Sequence, residues 1–476
     1  MRSLLPSDPL LHEVCLALSA REEPVYLVGG YVRDWLLNKT SHDLDFAVEG
    51  PAIPVARHIA DVFRGAFVLL DQEHDTARAI LKRRGRTYSI DLARTRGAGI
   101  VDDLAARDFT VNAMAVNVRD LAAAHPPLLD PTGGQDDLRA GRIRATSART
   151  FQDDPLRLLR AVRQAATLGF AITAETEALI RRDAPLITRP SAERVRDELV
   201  QLVGSRDPQR QVREMDRLGL LAPTLPEVAA LKGMCLPQGA NAYLHAVDTL
   251  GHLGAILDDI AGARRAPLDT DLAQLVAGHR AALQAYCAAI LSDTRNRTLT
   301  LRFTATLQHL DAQVGPGQVA TTLRRLRFSN AEIGLAQQIV ANQHLPASLA
   351  ARPPATPRSL YHFFEQLGDA GLGVLLLALA SSQADPRRDP AAWAGFCAMA
   401  QRLLAYHAQE WPRLQAMPPL VNGADLMRAL HLKAGPAIGQ LLEAIREAQA
   451  VGEISSAAEA LQLAQAHLRR PDTAKV

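Results

Sequence analysis

Two acidic residues, Asp43 and Asp45, alternate with leucine in the segment HDLDF and form the clearest chemical signal in this 476-residue sequence. Residues two apart on a β-strand point to the same face, so both carboxylates would project together while Leu44 and Phe46 face the core. Mg²⁺ prefers such oxygen ligands, and two metal ions about 4 Å apart hold the attacking and leaving oxygens of an in-line phosphoryl displacement. We therefore predict Asp43 and Asp45 to be catalytic metal ligands.

A Gly29-Gly30 pair stands shortly before these acids, between the apolar run VYLV and the helical pattern YVRDWLL. Glycines leave room for a triphosphate, and a helix that starts after them offers backbone N–H groups to its negative charge. Taken singly, a Gly-Gly pair or an acidic pair is typical of a solvated turn. The order strand, Gly-Gly, helix and Asp-x-Asp strand indicates nucleotidyl transfer.

The elements around these residues indicate an α+β head followed by an all-helical remainder. Residues 25–117 alternate short β-like runs with helical spacing, which predicts a small mixed sheet with helices on one side. Beyond about residue 147 amphipathic helical patterns continue almost to the end of the chain. The proline-rich stretch 345–360 is the predicted linker within the helical part.

Composition excludes few classes of function. No run of about 18 apolar residues and no signal-peptide pattern is apparent, so we expect a cytoplasmic protein without a membrane partner. The four cysteines are scattered, which argues against a zinc site or a disulfide framework and predicts buried free thiols. A net charge of +2 neither requires nor forbids a nucleic-acid partner, because phosphate binding depends on local patches.

Five ordered segments run from residue 25 to about residue 200: GGYVRDWLL with HDLDFAV, ARDFTVNAMAV, LLDPTGGQDDLRAGRIR, FQDDPLRLLRAVRQAATLGF and SAERVRDEL. In this order they resemble the motifs of class II nucleotidyltransferases of the polymerase β superfamily, the group of bacterial tRNA CCA-adding enzymes and poly(A) polymerases. The resemblance implies a nucleotidyltransferase head over 1–146 and a nucleobase- and RNA-binding helical neck over 147–205. It also implies a helical body over 206–345 and a helical tail over 346–476.

The resemblance implies roles for particular side chains. Asp43 and Asp45 would hold two Mg²⁺ ions, and Asp91 in SIDLART is an additional candidate ligand, although some relatives lack an acid there. Asp108 has an alternative as a helix cap. The residues implied to bind the nucleotide are Gly29, Gly30, Arg33, Asp34, Arg107, Asp108, Asn112, Asp154, Arg157, Arg160 and Arg163.

Asp154 and Arg157 are the predicted readers of the nucleobase. Cytosine and adenine both present an amino donor beside a ring-nitrogen acceptor, whereas uracil and guanine present a carbonyl beside an N–H. A carboxylate next to a guanidinium therefore accepts C or A and opposes U or G without a nucleic-acid template. Asp154-Pro155 also has a purely structural interpretation, as the cap and first turn of a helix.

The sequence departs from the family pattern at several places. Only RGAGIVDDLA separates SIDLART from ARDFTVNAM, where most CCA-adding relatives carry a flexible loop that assists the change from C to A addition. Asp153 and Gln164 replace the glutamate and the aromatic residue that are usual at their positions. The body has a degenerate HD-like region in which Leu310 follows His309, so we expect no hydrolase centre and interpret His245, His252 and His309 as structural.

These observations predict a magnesium-dependent, template-independent tRNA nucleotidyltransferase. It would extend tRNA 3′ ends from CTP, and from ATP if it continues from CC to CCA. A poly(A) polymerase is the alternative, although the near balance of charge over residues 441–476 disfavours it. A catalytically inactive RNA-binding protein is a further alternative, which the intact Asp43, Asp45, Asp154 and Arg157 disfavour.

Overall fold

A computed structural model describes residues 9–39, 44–83, 85–123, 125–263, 267–293, 295–351 and 355–469. The chain divides into two compact units. Unit 1 spans Met1–Ser205 with Arg210–Thr224, and unit 2 spans Arg206–Gln209 with Leu225–Val476. The predicted head and neck both fall within unit 1, and the predicted boundaries between head, neck, body and tail stay predictions.

Unit 1 is organised by a mixed sheet, which has six strands among the described residues. The strands are β1 (Val25–Val28), β2 (Leu44–Val48), β3 (Ala66–Asp71), β4 (Thr76–Arg83), β5 (Arg86–Arg94) and β6 (Ala115–Asn117). Their order is β3-β4-β5-β2-β1-β6, with β2 and β5 parallel and the other neighbours antiparallel. This arrangement confirms the predicted small mixed sheet.

Alternation of apolar and polar residues explains which face of this sheet is buried. Along β5, Tyr88, Ile90 and Leu92 are buried, and the residues between them are partly exposed. Residues two apart share a face, so this alternation directs one side of the strand into the core. Helix α3, Ala52–Val62, packs across β3, β4 and β5 with its own apolar side.

The other elements of unit 1 surround this sheet or follow it. They are α1 (Pro9–Ser19), α2 (Gly30–Leu36), α4 (Ile100–Ala105), α5 (Gly134–Arg139), β7 (Arg142–Ile143), α6 (Thr150–Asp153), α7 (Arg157–Leu168), β8 (Ala171–Ile172), α8 (Ala174–Asp183), α9 (Ala192–Val203), α11 (Leu221–Thr224) and α10 (Pro208–Arg217), of which the first two residues belong to unit 2. Strands β7 and β8 pair in parallel. A 3₁₀ turn at Thr110–Asn112 leads into β6.

Unit 2 is almost entirely helical, as predicted. Its elements are α12 (Pro226–Ala230), α13 (Ala242–Ile260), α14 (Thr270–Ala288), β9 (Ile290–Ser292), β10 (Arg295–Asn296), α15 (Arg297–Leu307), α16 (Leu310–Gln313), α17 (Gln318–Arg325), α18 (Asn330–Asn342), α19 (Leu345–Ala350), α20 (Pro357–Leu367), α21 (Gly371–Gln383), α22 (Pro390–Gln409), α23 (Trp411–Ala416), α24 (Gly423–Leu430), α25 (Pro436–Ala450) and α26 (Ala457–Arg469). Helix α13 packs against α15 and α21.

Helix α21 lies deep in unit 2, because every residue from Gly371 to Ala380 is buried. The longer stretch Pro357–Gln383 is apolar and long enough to cross a membrane by composition alone, but 78% of its most apolar segment is buried inside the protein. A helix that is apolar on all sides and covered by neighbours is typical of a protein core.

Two details of the sequence-based predictions are wrong. The predicted linker 345–360 contains helix α19 and the start of α20, because Pro346 and Pro357 occupy first-turn positions where the missing N–H costs nothing. The prediction of buried free thiols holds for three of the cysteines, but Cys235 is exposed.

Candidate active site

The side chains of Asp45 and Arg107 both lie next to Gly29, in the turn between β1 and α2. Gly29 has φ 72° and ψ −139°, a conformation that glycine tolerates and side chains disfavour. A Cβ atom at Gly29 would lie 3.3 Å from both Asp45 Oδ2 and Arg107 Nη1. The absence of a side chain at Gly29 therefore lets a carboxylate and a guanidinium both approach the position that a Cβ atom would occupy.

Asp45 lies on β2, where its neighbours Leu44 and Phe46 are buried as predicted. Its register partner on the parallel strand β5 is Asp91, so the two acids share one face of the sheet. Asp43 lies outside the described residues. Its predicted pairing with Asp45 stays a prediction.

Asp91 is engaged by an arginine of the next strand. Arg78 on β4 stands opposite Asp91, with Nε 2.5 Å from Oδ1 and Nη2 2.7 Å from Oδ2. Such a two-pronged ion pair restrains both side chains and offsets the charge of the carboxylate. Asp91 therefore lies beside Asp45 but already has a cationic partner, and its role as an additional metal ligand stays a prediction.

Arg33, Asp34, Asn112 and Asp108 form one hydrogen-bond network. Arg33 donates from Nε to Asp34 Oδ1 at 2.8 Å and from Nη1 to Asn112 Oδ1 at 2.8 Å. Asn112 Nδ2 donates to Asp108 Oδ1 at 3.0 Å. The structure thus connects two of the predicted motifs, GGYVRD and ARDFTVN, through side chains that the resemblance assigns to nucleotide binding.

Asp103 holds Arg107 in place and was not predicted from the sequence. Its buried carboxylate accepts from Arg96 Nε at 2.9 Å and from Arg107 Nε and Nη2 at 3.1 Å. Burial opposes ionisation, but the charges of Arg107 and Arg96 outweigh it, so the pKa of Asp103 lies below its ordinary value. The acid stays charged and braces the guanidinium beside Gly29.

The predicted base-reading residues have separate partners. Asp154 precedes α7, and its side chain accepts from Leu156 N at 3.2 Å and from Arg194 Nη2 at 3.1 Å. Arg157 is buried and donates to the backbone carbonyls of Ala106 at 2.9 Å and of Arg107 and Thr150 at 3.3 Å. Burial lowers the pKa of Arg157, against the opposing effects of Asp108 and Asp154.

The other two arginines of α7 are also paired. Arg160 Nη2 lies 3.0 Å from Asp108 Oδ2, which joins α7 to the network around Asn112. Arg163 donates from Nε to Glu198 Oε2 at 2.6 Å, and Glu198 belongs to the SAERVRDEL motif on α9. Arg157 and Arg160 therefore connect α7 to the ARDFTVN segment, and Arg163 connects α7 to α9.

The LLDPTGGQDDLRAGRIR motif packs against Thr110, which lies in the same 3₁₀ turn as Asn112. A Cβ atom at Gly134 would lie 2.2 Å from the carbonyl oxygen of Thr110, so only glycine permits this close approach. Asp137 accepts from Thr110 Oγ1 and from Arg144 Nε, both at 2.7 Å. These contacts hold the 3₁₀ turn that carries Asn112.

Two histidines of the HD-like region in unit 2 are paired with each other. His245 Nδ1 lies 3.0 Å from His309 Nε2, and the backbone carbonyl of Ser381 accepts from His245. If neutral His245 donates its one N–H to Ser381, its Nδ1 is an acceptor. Nε2 of His309 then donates to that Nδ1. Burial, with a smaller effect of His245, lowers the pKa of His309 to about 3. The pair lines a cavity of about 890 Å³, and its structural role stays a prediction.

Family models match most of the chain. A poly(A) polymerase head-domain model matches residues 25–144, and a model for the probable RNA- and SrmB-binding site of polymerase A matches 169–232. A model for a putative second domain of tRNA nucleotidyltransferases matches 295–464.

Named relatives align over nearly their whole length. A CC-adding tRNA nucleotidyltransferase of Synechocystis sp. is 33% identical over 442 residues, covering 92% of each chain. The chain belongs to the tRNA nucleotidyltransferase family. An A-adding tRNA nucleotidyltransferase of Deinococcus radiodurans is 32% identical and is covered to 94%. A CC-adding member from Geobacter sulfurreducens is 32% identical and is covered to 93%.

Solved structures of tRNA nucleotidyltransferases share the fold. The Thermotoga maritima CCA-adding enzyme in complex with tRNA has a TM-score of 0.64 at 22% identity and covers 98% of both chains. A CCA-adding enzyme in complex with ATP has a TM-score of 0.68, also at 22% identity, and covers 99% of this chain and 97% of that one. The predicted head and helical remainder are confirmed by these neighbours.

Enzymes of this family use divalent metal ions. Among the described residues, Asp45 and Asp91 supply oxygen donors on one face of the sheet, and Arg107 Nη1 approaches the same side of Gly29 as Asp45. Carboxylate oxygens are the kind of donor that hard divalent cations prefer. Among the described residues no group of three His, Cys, Asp or Glu side chains is placed to hold a metal ion, so a divalent cation beside Asp45 depends on the predicted ligand Asp43.

Proposed function

We propose that this protein adds cytidylate residues to the 3′ end of tRNA, with CTP as the nucleotide donor. The convergence of Asp45 and Arg107 on the Gly29 backbone supports this proposal most directly, because it provides cation-binding and phosphate-binding groups at one point. Two CC-adding relatives at 33% and 32% identity agree with this reaction, and because an A-adding relative is also 32% identical, the choice between C and A is left to the assay below.

In the proposed reaction, the 3′ hydroxyl of tRNA attacks the α-phosphorus of CTP in line. A new phosphodiester bond forms, the bond to the pyrophosphate group breaks, and the hydroxyl proton is released. Asp43 and Asp45, with Asp91 as an additional candidate, would hold two Mg²⁺ ions, which supply charge neutralisation for the attacking and leaving oxygens. Catalysis then consists mainly of positioning and electrostatic stabilisation.

The protein groups have separate tasks in this proposal. Arg33 and Arg107, next to the Gly29-Gly30 turn, bind the triphosphate, while Asp108 and Asn112 contact the sugar and phosphates. Each arginine is held by an acid, Asp34 or Asp103, so it is oriented before the nucleotide arrives. Preorganised charges of this kind avoid the cost of reorganisation during the reaction.

Asp154 and Arg157 remain the proposed readers of the base, with Arg160 and Arg163 as their supports. The carboxylate of Asp154 keeps acceptor capacity beyond its two hydrogen bonds, and Arg157 uses three of its five N–H donors on backbone carbonyls, which leaves two for a base. Both groups therefore retain the ability to bind an amino group and a ring nitrogen of an incoming base.

Addition of C without A is supported by the short connection between β5 and the Asp108 motif. Residues 96–105 include α4, and they are tied down by hydrogen bonds from Ala98 N to Asp102 and from Ile100 N to Glu49, both 2.8 Å long. The resemblance links a longer, flexible connection to the change from C to A addition. We infer that a second enzyme supplies the terminal A, and that both act in the cytoplasm.

One assay distinguishes the possible reactions. Purified protein is incubated with Mg²⁺, a tRNA that lacks its 3′ CCA and each labelled nucleotide separately, and products are sized on a sequencing gel. We expect two C residues from CTP and no extension of tRNA-CC by ATP. Addition of A to tRNA-CC would favour a full CCA-adding enzyme, a long A tail would favour a poly(A) polymerase, and the absence of any product would contradict the proposal.

A further inference from the structure

Gln164 on α7 contacts the nucleotide-binding network through its side-chain amide. The residue is buried, and its Oε1 accepts from Asn112 Nδ2 at 2.8 Å. Asn112 Nδ2 also donates to Asp108 Oδ1, and Asn112 Oδ1 accepts from Arg33 Nη1. Two acceptors for Nδ2 and one donor for Oδ1 leave the amide of Asn112 with a single favourable orientation.

The orientation of Asn112 determines where the Arg33 guanidinium lies. A Cβ atom at Gly30 would be 3.4 Å from Arg33 Nη2, so this guanidinium lies against the Gly29-Gly30 turn. Asp34 restrains it from one side and Asn112 from the other. If the Asn112 amide turned over, its NH₂ group would face the guanidinium and the second restraint would be lost.

We propose that Gln164 is a positioning residue for the triphosphate end of the nucleotide pocket. It acts through Asn112 on Arg33, and it connects α7, which carries the proposed base reader Arg157, with the turn that receives the phosphates. This inference rests on the proposed function of the site. Position 164 must supply a hydrogen-bond acceptor. Without it, one N–H of the buried Asn112 amide would lose its partner.

The variant Gln164→Met tests this role, since methionine is similar in length and volume but removes the acceptor. Binding of CTP and of CMP to the full-length protein is measured by equilibrium dialysis. We expect the Kd for CTP to rise roughly tenfold, the effect of about one hydrogen bond to a positioned group, while the Kd for CMP stays within about twofold. The matched control is Gln201→Met, an exposed position on α9, which should leave both constants unchanged.

A double-mutant cycle with Arg33→Lys shows whether Gln164 acts through Arg33. If it does, the loss of CTP affinity in the double variant is smaller than the product of the two single losses. Fully independent losses would overturn the inference, as would equal CTP affinity of Gln164→Met and wild type. If Gln164→Met does not fold, Gln164→Asn replaces it, since the shorter amide cannot reach Asn112.

The two hypotheses fail separately. A wild-type protein that binds CTP but adds no C to tRNA contradicts the proposed function and leaves the role of Gln164 measurable. An active wild type whose CTP affinity is insensitive to position 164 contradicts only the positioning role. A wild type that binds no nucleotide contradicts both.

Discussion

At the scale of residues, the site depends on acids and arginines that restrain one another before a nucleotide arrives. Arg33 is held by Asp34 and Asn112, Arg107 is held by Asp103, and Asp45 lies beside the Gly29 backbone. Fixed charges of this kind stabilise a transition state more effectively than mobile ones, because they need no reorganisation.

Asp45 gives the first prediction at this scale. Asp45→Asn keeps the shape of the side chain but removes its charge, so we expect C incorporation to fall roughly a thousandfold, the scale of losing one electrostatic contact to a transition state. Affinity for tRNA, measured by filter binding, should be unchanged. The control is Asp71→Asn, which changes an exposed acid at the end of β3. Near-normal turnover by Asp45→Asn would remove this acid from the catalytic centre.

Much of the site could be predicted from the sequence, because its motifs carry recognisable residues in a recognisable order. Asp103 and Gln164 could not, since their importance depends on partners that folding supplies. Gln164 and Asn112 are 52 residues apart in the sequence, and no local sequence pattern predicts their hydrogen bond. The base-reading pair shows another limit: Asp154 precedes α7, so the i, i+3 spacing of a regular helix does not determine where it points.

At the scale of elements, helix α4 is the structural centre of the short connection that follows β5. Asp103 on this helix binds Arg96 at the start of the connection and Arg107 after its end. One side chain therefore links the two ends of the connection. This explains how a connection of few residues places Arg107 beside Gly29. It also limits the movements available to the segment between the two arginines.

Asp103→Asn gives the prediction at this scale. Losing the charged partner of Arg107 should lower the free energy of unfolding by about 1.5–3 kcal/mol and weaken CTP binding, because Arg107 is no longer held at the turn. The pKa of Asp103 is depressed, so its stabilisation is present above the ordinary value of 3.8 and is lost as the pH falls below it. Urea unfolding at several pH values measures both effects.

Asp102→Asn is the matched control, since this neighbouring acid is exposed and accepts one backbone hydrogen bond within the same connection. We expect it to lower stability less than Asp103→Asn. Equal effects of the two variants would contradict a special role for Asp103, and so would a stability difference between wild type and Asp103→Asn that persists far below pH 3.8.

At the scale of the whole molecule, each unit has its own determinants of stability. Unit 2 contains buried ion pairs, such as Arg302 with Asp258 at 2.6 Å and Arg295 with Glu332 at 2.8 Å, and the histidine pair His245 and His309. Two of the prolines that suggested a linker, Pro346 and Pro357, instead lie in the first turns of helices α19 and α20, and Pro353 and Pro354 lie outside the described residues. Composition alone could not distinguish these cases, because a proline in the first turn and a proline that ends a helix look the same in a short segment.

The histidine pair predicts a dependence of stability on pH. His309 binds a proton with a pKa of about 3 in the folded protein and near 6.5 when unfolded, so protonation of the unfolded chain destabilises the fold between these values. Stability should fall by about 1.4 kcal/mol per pH unit below 6.5 from this group. His309→Gln keeps a donor for His245 and does not titrate. Urea unfolding near pH 7.5 and pH 5 should show a smaller acid loss for the variant, and an equal loss in both proteins would contradict the prediction.

The burial of α21 has a consequence for synthesis of the chain on the ribosome. Residues 371–380 are enclosed by helices that precede them, including α13 and α15, and by later ones such as α22. Unit 2 therefore cannot complete its interior until translation has passed this segment. A chain truncated before residue 371 would leave apolar surfaces of the earlier helices of unit 2 exposed, although all five sequence motifs of unit 1 had already been made.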